Sequence, residues 1–185
     1  MTKSELRKIC LEKQKRMSAE ARSEASRKIA ESFFENFDLA EVRYLHCFLR
    51  IEKFNEINTR LIIEKVWRDF PSVQIVVPRV DFETNQMTSL KFDSTTALAR
   101  NAWHIDEPTH DDLVETSLID MVLVPGVCFD RSWHRVGYGK GFYDRFLARC
   151  RPDCVKIGLS YWDPVDVIDD VHEGDVRLDL IIEPR

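Results

Sequence analysis

The chain has 185 residues, 44% of them hydrophobic and 32% charged, so it is globular rather than disordered and long enough to bury a proper core. A formal net charge of −5 argues against a general nucleic-acid binder. The charge is uneven: residues 1–28 carry nine Lys/Arg against four Asp/Glu, and the remainder therefore sums to −10 (−5 − 5). The N-terminus shows neither the apolar core of a signal peptide nor the acid-poor composition of a transit peptide. No run approaches the roughly 18 apolar residues of a membrane span. The expectation is one cytoplasmic domain over residues 1–185, without membrane or nucleic-acid partners, as a monomer with a dimer as the alternative. The five scattered cysteines (Cys10, Cys47, Cys128, Cys150, Cys154) form no zinc spacing and read as reduced structural thiols.

In chain order, Thr2 with Glu5 fits a capping box that opens a helix carrying Leu6, Ile9, Cys10 and Met17. Ser18 opens a second helix, with Ala21, Ala25, Ile29 and Phe33 on one face. Tyr44 to Leu49 reads as a buried strand. Thr59 to Phe70 reads as a helix with Leu61, Ile62, Val66 and Trp67 inward, and Val73 to Val80 as the next strand. Phe82 and Met87 to Phe92 suggest a hairpin around Thr84–Gln86. Residues 93–117 are mixed, with room for a short helix near Ala97. Met121 to Val124 is the clearest buried strand. Gly141 to Cys150 reads as a helix with Pro152 beyond its end, and Val155 to Leu159 and Leu178 to Ile182 as two final strands. Alternation of strands and helices favours an α/β fold, a three-layer α/β/α domain with a mostly parallel central sheet. Ligands in such sheets bind beyond the carboxyl ends of the strands.

Four of the six glycines lie between Met121 and Arg149, three of them at Gly137, Gly139 and Gly141 around Lys140. Glycines and a lysine ahead of a helix seat phosphate well, because bare backbone N–H groups and the positive helix end face the anion. The loop is neither a Walker A loop nor a dinucleotide fingerprint, and a plain glycine-rich turn is the competing reading. Arg135 before it, Lys140 within it and Asp144 after it favour polyphosphate, since cations steady phosphates and a hard oxygen can hold Mg²⁺.

As a string, VPGVCFDRSWHRVGYGKGFYDRF strongly resembles the signature of the 5-formyltetrahydrofolate cyclo-ligase family. Other resembling elements follow in family order: Lys3-Ser4-Glu5-Leu6-Arg7, Glu56-Ile57-Asn58-Thr59, Val77-Pro78-Arg79, Trp103-His104-Ile105 with Glu107-Pro108, and Asp175-Val176-Arg177-Leu178-Asp179. The resemblance implies ATP-driven closure of the N5-formyl group of 5-formyltetrahydrofolate onto N10, giving 5,10-methenyltetrahydrofolate, ADP and phosphate. Phosphorylating the formyl oxygen would make the carbon a better electrophile and the oxygen a leaving group, so the protein must chiefly align groups and neutralise charge.

The resemblance also implies roles. Lys3, Arg7, Arg135, Gly137, Tyr138, Gly139, Lys140 and Gly141 would hold ATP, with Arg135, Lys140 and Tyr143 closest to the chemistry. Asp144 and Asp175 would bind Mg²⁺. Glu56 would orient the reduced folate, and Leu49, Tyr138, Phe142 and Tyr143 would line the pterin site. Phe142 and Tyr143 as core residues, and Glu56 as a surface carboxylate, are the bland alternatives. Trp103, Tyr161 and Trp162 are further aromatic candidates, and the five histidines read as non-catalytic. The chain departs from the family at Pro164 and Asp170, and between Leu49 and Glu56 it is longer by about two residues, in a loop that would border the folate site and so bears on the placement of Glu56. The rival functions are a folate- or nucleotide-binding protein without turnover and an α/β enzyme acting on another phosphorylated metabolite.

Overall fold

In a computed structural model, which describes residues 1–101 and 104–185, the chain opens with α1 (Lys3–Arg16) and its Thr2–Glu5 capping box. The next helix, α2 (Ala19–Asn36), is capped by the Ser18 hydroxyl. Strand β1 (Tyr44–His46) follows, then a single 3₁₀ turn at Glu52–Phe54, α3 (Arg60–Asp69) and β2 (Gln74–Asp81). Strand β3 (Gln86–Phe92) returns antiparallel to β2. Next come β4 (Leu98–Arg100), β5 (Asp106–Pro108), β6 (Leu113–Val114) and β7 (Met121–Val124). The chain ends with β8 (Cys128–Phe129), β9 (Arg135–Val136), α4 (Phe142–Leu147), β10 (Val155–Leu159) and β11 (Leu180–Ile182).

The main sheet has the order β11-β10-β7-β1-β2-β3-β6. Its first five strands are parallel, and β3 and β6 close one edge antiparallel. Strand alternation sends Leu45, Ile75, Leu123 and Ile157 to one face, against Ile29 and Phe33 of α2 and Ile62 and Val66 of α3. The other face takes Val76, Val122 and Val124, against Phe146 and Leu147 of α4. All four residues of β7 are buried, as two covered faces require of a central parallel strand. Helices on both faces of a mostly parallel sheet are the architecture expected from the alternating pattern.

Three local expectations are corrected. Leu61 is 36% exposed, because Ile62, Ile63 and Val66 make the i, i+3, i+4 stripe that faces the sheet. Near Ala97 there is strand, not helix: β4 pairs with β5, and Thr109 N–H closes onto the Ala97 carbonyl. The helix after the glycines stops at Leu147 rather than reaching Cys150.

The chain reverses direction across the sheet between β1 and β7, since β2 lies on one side of that pair and β10 and β11 on the other. Such a switch point leaves a crevice at the carboxyl ends of the two strands, where α/β folds bind ligands. The glycine loop does not follow β7 directly. A small β8–β9 hairpin intervenes and carries it, and α1 packs on that hairpin through Leu6 and Cys10 against Cys128 and Val136.

Candidate active site

The crevice beyond β1 and β7 is lined by Gln14, Phe48, Glu56, Ile57, Pro125, Gly126, Leu159 and Tyr161. Its volume, about 10 Å³, is that of one water. Glu56 is held there by the segment after β1. The Thr59 hydroxyl donates to the Phe48 carbonyl at 2.5 Å instead of capping α3, which ties the start of that helix to the strand end. Glu56 is 8% exposed. Its Oε1 accepts the Tyr138 hydroxyl at 2.6 Å and its Oε2 accepts the Ile51 N–H at 2.6 Å. Burial lifts its pKa to about 7, and the two neutral donors only partly oppose the rise. The surface-carboxylate alternative is thereby removed. Burial together with the neighbouring Glu56 charge pushes the Tyr138 phenol well up, so it stays a hydrogen-bond donor.

Tyr138 belongs to the glycine loop, so one loop reaches both halves of the site. Gly139 and Gly141 have φ of +93° and +66°, values that side chains rarely tolerate. Gly137 offers its carbonyl to Arg7 Nε at 2.6 Å, which brings α1 onto the loop. Arg145 braces the other side, donating to the Lys140 carbonyl at 2.9 Å. The Lys140 side chain is exposed and free to meet an anion.

Arg135 is 7% exposed. Its Nη2 donates to Asp144 Oδ1 at 2.6 Å and its Nη1 to the Val176 carbonyl at 3.2 Å. Desolvation pulls the guanidinium below its ordinary pKa, against the pull of Asp144. Asp144 Oδ1 also accepts the Val176 N–H at 3.1 Å, so Asp175 lies beside it in the chain. Lys3 Nζ pairs with Asp175 Oδ2. Burial would raise the Asp175 pKa, but the Lys3 ammonium and the His172 N–H outweigh it and hold it low.

Lys3, Arg7, Arg135, Asp144 and Asp175 thus gather around the glycine loop, and Glu56 and Tyr138 join them. Tyr143 lies between the two sides: the charges of Glu56 and Arg135 both act on its partly buried phenol, and desolvation raises its pKa far above the ordinary value. Leu49 packs on the core at the end of β1. Phe142 instead meets Phe82 edge-on at 5.4 Å, at the β2–β3 turn, and joins the apolar cluster beneath α4. Tyr161 lines the crevice, and Lys13 stands 3.7 Å over the Trp162 ring. Trp103 lies outside the described residues.

Sequence reasoning missed Gln14, Phe54 and His46. Gln14 is 3% exposed and donates to the Phe54 carbonyl at 2.6 Å. Its position, four after Cys10 and eight after Leu6, lies on the stripe spacing and was the available signal. Phe54 stacks on Tyr138 with ring centroids 4.6 Å apart. His46 is fully buried, its Nδ1 3.1 Å from Ser89 Oγ and its Nε2 3.4 Å from the Tyr143 hydroxyl. Burial drives its pKa down to about 3, so the ring is neutral.

Among the described residues no group of three or more His, Cys, Asp or Glu side chains could hold a metal. Asp144 and Asp175, linked through the Val176 N–H, are hard-oxygen donors of the kind of which Mg²⁺ commonly takes one or two, completing its shell with water and substrate phosphates; both are paired here, with Arg135 and Lys3.

A buried carboxylate at a switch-point crevice, joined to a cation-rich glycine loop, is the arrangement of an α/β enzyme. The sequence model of the 5-formyltetrahydrofolate cyclo-ligase family matches residues 1–184, and the chain belongs to that family of ligases. It is 27% identical over 177 residues to the mouse 5-formyltetrahydrofolate cyclo-ligase, covering 90% of this chain and 85% of that one. It is 28% identical over 186 residues to the Mycoplasma pneumoniae 5-formyltetrahydrofolate cyclo-ligase, covering 98% of each. The solved 5,10-methenyltetrahydrofolate synthetase of Mycoplasma pneumoniae superposes with a TM-score of 0.79 at 25% identity over all of both chains. That of Aquifex aeolicus gives 0.77 at 27% identity, over 98% of this chain and 89% of the other.

Proposed function

We propose that this chain, as one domain spanning residues 1–185 and a monomer of the cytoplasm, converts 5-formyltetrahydrofolate to 5,10-methenyltetrahydrofolate with ATP and Mg²⁺. The observation that carries this reading is the Tyr138–Glu56 hydrogen bond of 2.6 Å. It ties the loop suited to phosphate to a buried carboxylate suited to the N–H edge of a pterin. Family membership over residues 1–184 supports the same reading.

In the proposed reaction the formyl oxygen attacks the γ-phosphorus and ADP leaves. N10 then attacks the activated carbon, its proton passes to solvent, and phosphate departs with the former formyl oxygen. Ionised Glu56 accepts N–H groups of the pterin and so fixes the ring. Tyr138 holds Glu56 and presents its ring face. Arg135 and Lys140 offset the phosphate charge, and Arg7, held on Gly137, keeps α1 against the loop with Lys3 at hand. Tyr143, neutral at any working pH, donates a hydrogen bond between the two sides. Asp144 and Asp175 would hold Mg²⁺ by exchanging Arg135 and Lys3 for it as those cations turn to phosphate. The ion supplies charge neutralisation on the phosphates when bound.

The test is the absorbance band of the methenyl product, followed with purified protein, 5-formyltetrahydrofolate and Mg²⁺. A rise that needs ATP supports the reading. Folate binding without any rise would point to a binding protein without turnover.

A further inference from the structure

The segment Arg50–Asn55 already makes, within the protein, the two contacts asked of the folate. Its Ile51 N–H donates to Glu56 Oε2 at 2.6 Å, as a pterin N–H would. Its Phe54 ring lies on Tyr138 with centroids 4.6 Å apart and planes 23° from parallel, as a pterin ring would. At that spacing no third ring fits between them. The crevice below, with room for about one water, is far smaller than the several hundred Å³ of ordinary ligand pockets.

The segment is also latched. Gln14 Nε2 donates to the Phe54 carbonyl at 2.6 Å, and Asn55 Nδ2 to the Gln14 carbonyl at 3.5 Å. Asn55 turns back with φ of +55° and its N–H closes on the Glu52 carbonyl at 2.9 Å. Phe54 itself is only half-buried, and Glu52 and Lys53 beside it are exposed. The ring can therefore swing outward without opening the core. The latch sits on α1, the helix that also brings Arg7 to the glycine loop.

We propose that Phe54 acts as an internal competitor for the folate ring. A ligand enters only by displacing Phe54 from Tyr138 and the Ile51 N–H from Glu56. Displacement favours a molecule that supplies both a flat ring and N–H donors on one edge. A ligand without the pterin's row of N–H donors, such as a p-aminobenzoylglutamate fragment with its single terminal amino group, does not repay both contacts. The proposal rests on the folate reading above.

The experiment compares wild type with Phe54→Ala in calorimetric titrations with 5-formyltetrahydrofolate and with p-aminobenzoylglutamate. Circular dichroism checks the fold, and the ATP-dependent absorbance assay runs alongside. Removing the stacked ring is expected to tighten 5-formyltetrahydrofolate roughly two- to tenfold, the factor that an aromatic pair is worth. p-Aminobenzoylglutamate should tighten by no more than the same factor, because the displacement cost removed is common to any ligand that enters this way. Phe54→Leu, which keeps bulk without a flat ring, should tighten binding by less and serves if the Ala variant is poorly folded. Unchanged or weaker folate binding by the variants, with methenyl product still formed by wild type, overturns the competitor and leaves the cyclo-ligase reading intact. Absence of both folate binding and product in all the proteins overturns the cyclo-ligase reading and the competitor with it.

Discussion

Asp175 and Glu56 are both largely buried carboxylates of one site, yet the structure pushes them in opposite directions. Asp175 faces the Lys3 ammonium and the His172 N–H, and is held below its ordinary pKa. Glu56 meets only the Tyr138 hydroxyl and the Ile51 N–H, and burial lifts it to about 7. The difference lies in the partners: a cation compensates desolvation, and two neutral donors do not. In the function proposed above, the loop side carries acids and bases that would neutralise each other until an anion and a metal separated them, and the crevice side an acceptor whose charge is costly until a ligand supplies donors.

The largest break in this comparison comes from Arg135→Ala. It removes a buried cation and strands Asp144, so kcat/KM should fall by about 10³-fold, as for loss of a preorganised electrostatic contact. The melting temperature should fall too, because breaking a buried pair costs roughly 3–5 kcal/mol. Steady-state kinetics with thermal melts check both, and a stable, active variant would show that the pair is dispensable. Asp144→Ala should lower turnover by roughly 10²-fold and, because it leaves the buried Arg135 cation unpaired, lower the melting temperature as well. Near-wild-type rates across a Mg²⁺ titration would remove Asp144 from the metal site.

Glu56 sharpens the comparison through pH. Its folded pKa of about 7 stands above the ordinary 4.5, so the protonated form favours folding. That stability is fully present below pH 4.5 and is lost as pH rises towards and through 7, by about 3 kcal/mol. In Glu56→Gln this loss should vanish from chemical unfolding measured between pH 4.5 and 7.5. In the proposed reading the ionised carboxylate holds the folate, so kcat/KM for the folate should climb with pH and level off above about 7. The Gln variant should flatten that limb and raise the folate KM roughly 10- to 100-fold, the worth of hydrogen bonds to a charged group. An unchanged pH profile would assign the limb to another group. The smallest effect belongs to exposed Lys140: Lys140→Ala should raise the ATP KM by about three- to tenfold and leave folate affinity alone. Equal changes for both ligands would deny it a place on the phosphate side.

Much of this was legible in the chain itself. The Thr2–Glu5 cap, the apolar faces of α2 and β7 and the glycine-rich loop are local patterns, set by periods of 3.6 and 2 and by turn chemistry. The ordered motifs from Lys3 to Asp179 pointed to the family. The short β4 near Ala97 was not legible, because a three-residue strand is stabilised by its partner and not by its own pattern. The β8–β9 hairpin was hidden for the same reason.

The amino-acid chain alone supplies the residue types of the candidate site: Lys3, Arg7, Arg135 and Lys140 as cations, and Asp144, Asp175 and Glu56 as acids. Tertiary structure alone decided how they pair. Asp144 meets Arg135 within nine residues, but Lys3 meets Asp175 across 172 and Glu56 meets Tyr138 across 82. Burial is likewise a property of the folded whole. No local pattern says that Glu56 is desolvated, that His46 is neutral beneath Tyr143, or that Phe54 lies on Tyr138. Those facts follow only when the strand ends of β1 and β7 come together and α1 closes over them.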